Sequence, residues 1–137
     1  MNGEPPTAKP ALRPDAVAIG LLLLAAFARF AWLDFKPPHF DEGINGWFCD
    51  QMTARGFYRY DPQNYHGPLH FYLTWISLAL GGRNLWALRL PAVLAGIALV
   101  ALALGFGRFI GRPAARWAAL ILALSPAATF FSRYAIH

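Results

Sequence analysis

Residues 90–106 read LPAVLAGIALVALALGF and residues 107–116 read GRFIGRPAAR. The first segment carries no charge over about 17 positions, which at 1.5 Å per helical residue approaches the thickness of a bilayer's hydrocarbon. The second carries Arg108, Arg112 and Arg116 and no acid. A long apolar run followed at once by arginines reads as a membrane span ending in a cytoplasmic loop, because basic loops are retained on that side. Lipid is therefore part of this chain's solvent, and the arginines set its orientation.

Two further runs fall into place around this one. Residues 16–33 are almost uninterruptedly apolar, with Arg29 near one end, where its side chain can snorkel to the headgroups, and Trp32 as an interfacial anchor. Ala26, Phe27 and Ala28 resemble a signal-peptidase site, but the apolar run exceeds a signal core and continues through Trp32, so the helix is read as retained. Residues 117–131 form the third run. The expectation is thus three spans, 16–33, 90–106 and 117–131. The N-terminus and 107–116 lie inside, and 34–89 and 132–137 outside. Residues 68–80, closed by Gly81-Gly82, are short for a span. If they crossed, the three-arginine loop would fall outside and Arg83 with Arg89 inside, a poorer fit to the charge rule, so an interfacial or re-entrant helix is expected there. Residues 1–15, with Pro5, Pro6, Pro10, Pro14, Lys9 and Arg13, read as a disordered cytoplasmic tail.

Composition agrees. The chain is 57% hydrophobic and 14% charged, too apolar for an ordinary soluble domain. Its net charge of +5 comes without a Lys-rich run, and most arginines flank apolar segments, so nucleic acid is set aside as a partner. The single cysteine, Cys49, has no partner for a disulfide or a CxxC motif. No charge sits at mid-span, which argues against half of a transporter. The fold class expected is an all-α membrane protein, a transmembrane helix bundle with juxtamembrane interfacial helices in its first outer loop. Three helices bury their faces usefully only against more helices or lipid, so the chain is expected to be the N-terminal part of something larger.

The outer loop holds the candidate chemistry. Pro37-Pro38 stops the first helix, and a second is expected over 41–55 with Gly56 as its C-cap. Ile44, Trp47, Phe48 and Met52 share one side, suited to a helix lying in the interface. Asp41 and Glu42 then stand at its N-terminus. The plainer reading is N-capping by Asp41 and a favourable first-turn charge at Glu42. The functional reading is a general base toward an acceptor hydroxyl, or an oxygen ligand holding a divalent cation against a phosphate. Tyr58, Arg59, Tyr60, Asp61, Tyr65, His66 and His70 supply the aromatic and hydrogen-bonding density of a sugar or phosphate site, and each alone is equally an interfacial residue. His66-Gly67-Pro68 sets a rigid turn before an apolar helix. Ser132, Arg133 and His137 emerge on the same side as Asp41. Arg133 there either snorkels or pairs with a lipid-linked phosphate or a loop carboxylate.

In order along the chain, FDEG at 40–43, YHGPLHFYL at 65–73, ALRLPAVLAG at 87–96 and LALSPAATFFSRYAIH at 122–137 resemble the GT-C membrane glycosyltransferases. Within them the likeness is to the protein O-mannosyltransferase and aminoarabinose transferase branch, and to the related flippase activity-associated group. The resemblance implies a polytopic enzyme moving a sugar from a polyprenyl-phosphate carrier to an acceptor on the non-cytoplasmic face of the cell membrane. It implies Asp41 as the catalytic or metal-proximal carboxylate with Glu42 beside it, and a second acid soon after the SRY segment, beyond His137. Arg59, Tyr65, His66 and Arg133 are the expected substrate-binding residues. A divalent cation, Mg2+ or Mn2+, is expected at Asp41 and His137. Residues 16–137 would be the N-terminal part of the transferase domain, completed by C-terminal helices. The alternative is a non-catalytic accessory protein for lipid-linked sugar export, or an inactive fragment.

Overall fold

A computed structural model describes residues 15–63 and 66–136, so the expected tail, apart from Asp15, lies outside the described residues. The described residues form helices and no strand: α1 (Ala16–Phe30), α2 (Phe40–Arg55), α3 (Pro68–Gly81), α4 (Leu85–Gly105), α5 (Gly107–Ile110), α6 (Arg112–Leu124) and α7 (Pro126–Phe131). The all-α class is as expected. Among the described residues, one helical stretch is long and apolar enough to cross a membrane: Leu85–Ile110, 26 residues with a mean hydropathy of 2.3.

α1, α4 and α6 pack around Ala25, Val100, Ala119 and Ala123, all fully buried. Alanine at three of these four positions lets the backbones approach closely, the device membrane helices use where lipid removes the ordinary hydrophobic drive. Asp15 and Arg116 join the starts of α1 and α6 at 2.6 Å, and the end of α4 reaches the same place, so α4 runs against the other two. The opposite end of the bundle carries α2, α3 and α7. There α2 and α3 share a core of Phe48, Met52 and Phe71, with Tyr58 stacked on Phe71 at 4.6 Å. α3 is tied to α4 by the Ser77 hydroxyl, which donates to the Ala87 carbonyl at 2.6 Å. Cys49 is buried between α2 and α3, and burial, then the charge of Asp50, pushes its thiol up to about 11.

Helix bounds differ from expectation in two places that matter for the site. α4 begins at Leu85, because the Asn84 side chain accepts from the Ala87 N–H at 2.9 Å and caps the helix earlier than the apolar run suggests. Arg89 therefore belongs to this helix rather than to the loop. The expected span 117–131 is two helices. Pro126 has no N–H to offer the Leu122 carbonyl and forces Ser125 out of the helical region, so α6 stops at Leu124 and α7 restarts under a Ser125 cap.

Arg29 fills that break. It donates to the carbonyls of Leu122 at 3.2 Å, Ala123 at 3.5 Å and, in its own helix, Ala25 at 3.2 Å. It is 0% exposed, so it does not reach the headgroups as the sequence suggests. Room for it exists because residue 96 is glycine: a Cβ there would lie 2.6 Å from Arg29 Nε and 2.7 Å from Ser132 Oγ. Arg29→Met is expected to destabilise the full-length protein by about 1–3 kcal/mol, because it leaves the Leu122 carbonyl bare while Thr129 still serves Ala123. Adding Pro126→Ala restores an N–H for Leu122 and should recover part of the loss in detergent melting curves. A double variant no more stable than Arg29→Met would show that the arginine does not serve the break.

Candidate functional site

The N-terminus of α2 separates the two acids. With Pro37-Pro38 behind it, the helix starts at Phe40, and His39 is its cap: the His39 imidazole Nδ1 accepts from the Asp41 N–H at 3.3 Å, and the His39 N–H donates to Glu42 Oε2 at 2.9 Å. This reciprocal arrangement is a capping box with histidine in the place usual for serine or threonine. Asp41 is thus not the N-cap. Its carboxylate is 42% exposed and lies 3.5 Å from His39 Nδ1.

Glu42 turns the other way and is 0% exposed. Arg89 reaches down from the first turns of α4 and grips it with a two-toothed fork, Nε to Oε1 and Nη2 to Oε2, both at 2.8 Å. The Ala135 N–H donates to Oε1 at 3.0 Å, so every oxygen of this carboxylate is engaged at least twice. Burial pushes the Glu42 carboxyl up, but the Arg89 fork and the N–H groups of His39 and Ala135 outweigh it and hold it below its ordinary value of 4.5. The rest of the Arg89 guanidinium donates to the carbonyls of Leu33, Lys36 (3.2 Å) and Pro37 (3.2 Å), and lies over the Tyr134 ring at 4.7 Å. Asn45 adds a bond to the Ala135 carbonyl at 2.6 Å. One buried ion pair therefore ties α2, α4, the turn after α1 and the segment after α7. Sequence reasoning counted Arg89 only as a charge in the topology; its signal is an arginine one turn inside an apolar helix, which needs a buried acid.

Beside this tie is a cavity of about 650 Å³, formed where α1 ends and the α6–α7 break opens, and lined by Trp32, Phe35, Lys36, Arg89, Arg133 and Tyr134 among others. The lining contains three cations and no acid. Arg133 donates to the carbonyls of Ala31 at 2.6 Å, Trp32 at 2.9 Å and Ala28 at 3.4 Å, which fixes its guanidinium at the carboxyl end of α1. The Lys36 side chain makes no hydrogen bond or ion pair among the described residues, and nothing in its local sequence singled it out. Asp41 connects to this cavity through His39, whose ring meets Tyr134 edge-on at 6.5 Å. A mostly apolar hollow with a cationic rim suits a phosphate that carries a lipid tail.

Residues 65–136 match the dolichyl-phosphate-mannose-protein mannosyltransferase family. The chain belongs to that family. It is accordingly a glycosyltransferase of the GT-C type, associated with the membrane, as the resemblance implied. No curated protein and no solved structure matches it. The mannosyltransferase match takes in α3 to α7, hence Arg89 and Arg133, and stops short of Asp41 and Glu42.

The remaining expected residues of this mannosyltransferase-family chain are dispersed. Arg59 lines a separate hollow of about 260 Å³ with Trp47, Tyr58, Tyr60 and Asp61, so it does not join Arg133. His66 offers its carbonyl to the Tyr58 hydroxyl at 3.3 Å. Tyr65 and His137 lie outside the described residues. Among the described residues no three carboxylate, imidazole or thiol groups converge to hold a metal ion. Of the two donors expected for Mg2+ or Mn2+, Asp41 alone falls among the described residues, and no step below is routed through the ion.

Proposed function

We propose that this chain forms the donor-phosphate site and the catalytic carboxylate of a polytopic enzyme that transfers a sugar from a polyprenyl-phosphate carrier to an acceptor hydroxyl on the non-cytoplasmic face. The observation that carries this reading is the acid-free cavity rimmed by Lys36, Arg89 and Arg133, with Asp41 linked through His39 to Tyr134 of its lining. The acceptor oxygen attacks the anomeric carbon while the bond from that carbon to the phosphate oxygen breaks. The acceptor's proton passes to Asp41 and the electron pair leaves with the lipid phosphate, inverting the anomeric centre. Arg133 stabilises the charge growing on the departing phosphate, whereas Lys36 holds the phosphate equally in the bound donor and in the transition state. Glu42 positions rather than reacts. In this reading α1, α4 and α6–α7 cross the bilayer, the Arg108–Arg116 end faces the cytoplasm, and α2 and α3 lie at the outer interface.

The family's description makes dolichyl-phosphate mannose the first donor to assay. With purified full-length protein in nanodiscs, Lys36→Met is expected to raise the donor KM roughly tenfold or more, the worth of one charge-assisted hydrogen bond, with kcat little changed. An unchanged KM would overturn the phosphate site. Absence of transfer by the wild-type enzyme, with the donor still bound, would favour the accessory reading instead.

A further inference from the structure

At the end of the bundle remote from Asp41, a second charged hollow of about 410 Å³ opens between the start of α1, the end of α4 and the start of α6. It is lined by Arg108, Arg112, Arg116 and Asp15. Asp15 is already committed: it takes Arg116 at 2.6 Å and caps α1 by accepting from the Val17 N–H at 3.1 Å. One acid thus neutralises one arginine, and the side chains of Arg108 and Arg112 make no hydrogen bond or ion pair among the described residues. The Arg108 guanidinium lies 4.6 Å over the Phe109 ring, which holds it in the rim. Phe106, Phe109, Ile110 and Trp117, which stand among or beside the lining residues in the sequence, are 47%, 69%, 55% and 66% exposed.

We propose that this hollow binds the phosphate of an anionic phospholipid headgroup. Topology accounts for arginines on this side of the membrane, but not for two uncompensated guanidinium groups lining one concavity with an apolar collar. Guanidinium forks match phosphate oxygens, and basic pockets between helix ends at the cytoplasmic surface recognise lipid headgroups in this way. The collar selects among anions: acyl chains lie against Phe106, Phe109, Ile110 and Trp117, whereas free phosphate gains nothing from them and nucleic acid would leave them wet. The bound lipid would staple α1, α4 and α6 together at the end where the Asp15–Arg116 pair links α1 to α6. This site is independent of the transfer reaction proposed above.

The test uses full-length protein delipidated and returned to phosphatidylcholine nanodiscs with or without phosphatidylglycerol, with retained lipid read by native mass spectrometry. Phosphatidylglycerol should be retained in preference to phosphatidylcholine. The double variant Arg108→Gln/Arg112→Gln should weaken that preference roughly thirtyfold, the combined worth of two basic residues at the surface, without a change in melting temperature in phosphatidylcholine alone. A control of equal charge loss, Arg55→Gln/Arg83→Gln, should leave it intact. Retention unaltered in the first double variant, equal loss in the control, or displacement of the lipid by equimolar inorganic phosphate would each overturn the proposal.

Discussion

Arg89→Met will destabilise the full-length protein by about 3–5 kcal/mol, the usual consequence of stripping one partner from a buried ion pair. The loss is large because Glu42 keeps its place at 0% exposure while its fork partner disappears. The carbonyls of Leu33, Lys36 and Pro37 lose their donor in the same step. Restoring neutrality should reverse much of this: Glu42→Leu with Arg89→Met removes both charges, and apolar replacement of a whole buried pair is often neutral. Measured by denaturant or thermal unfolding, a double variant no better than Arg89→Met would mean that the carbonyl contacts, not the charge, carry the tie. The pH dependence follows from the depressed carboxyl of Glu42. Its contribution is complete above the unfolded value of 4.5 and drains away only as pH falls through the lower folded value. Melting curves should therefore show no loss from this group between neutral pH and 4.5, and a progressive loss below.

The second large effect is kinetic. Asp41→Asn keeps the shape of the side chain and removes only its ability to accept a proton, so transfer should fall by about 10²–10⁴, the range general-base catalysis supplies. Stability should barely move. Asp41 is partly exposed, the helix is capped by His39, and an acid in a first turn contributes about 0.3–1 kcal/mol. The sugar donor should bind as before, since the cavity cations are untouched. The two neighbouring acids thus differ in kind: one variant loses chemistry with the fold intact, the other loses the fold.

Much of the architecture was legible because membrane helices announce themselves by composition. The run 90–106 pointed to the span-length helix and the arginines at 108, 112 and 116 to its charged end, although residues 107–116 form α5 and the start of α6 rather than a loop, and Gly56 and Gly82 closed α2 and α3 with φ of 82° and 80°. What escaped was every feature made by residues distant in sequence. Arg29 reads as a snorkelling residue until its acceptors, 93 and 94 positions away, are known. Glu42 reads as the companion of Asp41 until Arg89, 47 positions on, draws it inward. The cap at His39 was missed because histidine is an uncommon N-cap, so the Asp41 that followed seemed the better one. Arg59 and Arg133 looked like partners in phosphate binding by charge alone, and they line different hollows.

The central claim is that the acidic pair is divided, Asp41 for chemistry and Glu42 for structure. The most direct test is to purify Asp41→Asn and Glu42→Gln variants of the full-length protein side by side and measure, on the same preparations, melting temperature and turnover of polyprenyl-phosphate sugar. The division predicts Asp41→Asn with a near wild-type melting temperature and turnover reduced at least about a hundredfold, and Glu42→Gln with a clearly lowered melting temperature. A stable Glu42→Gln without turnover, beside an active Asp41→Asn, would contradict it.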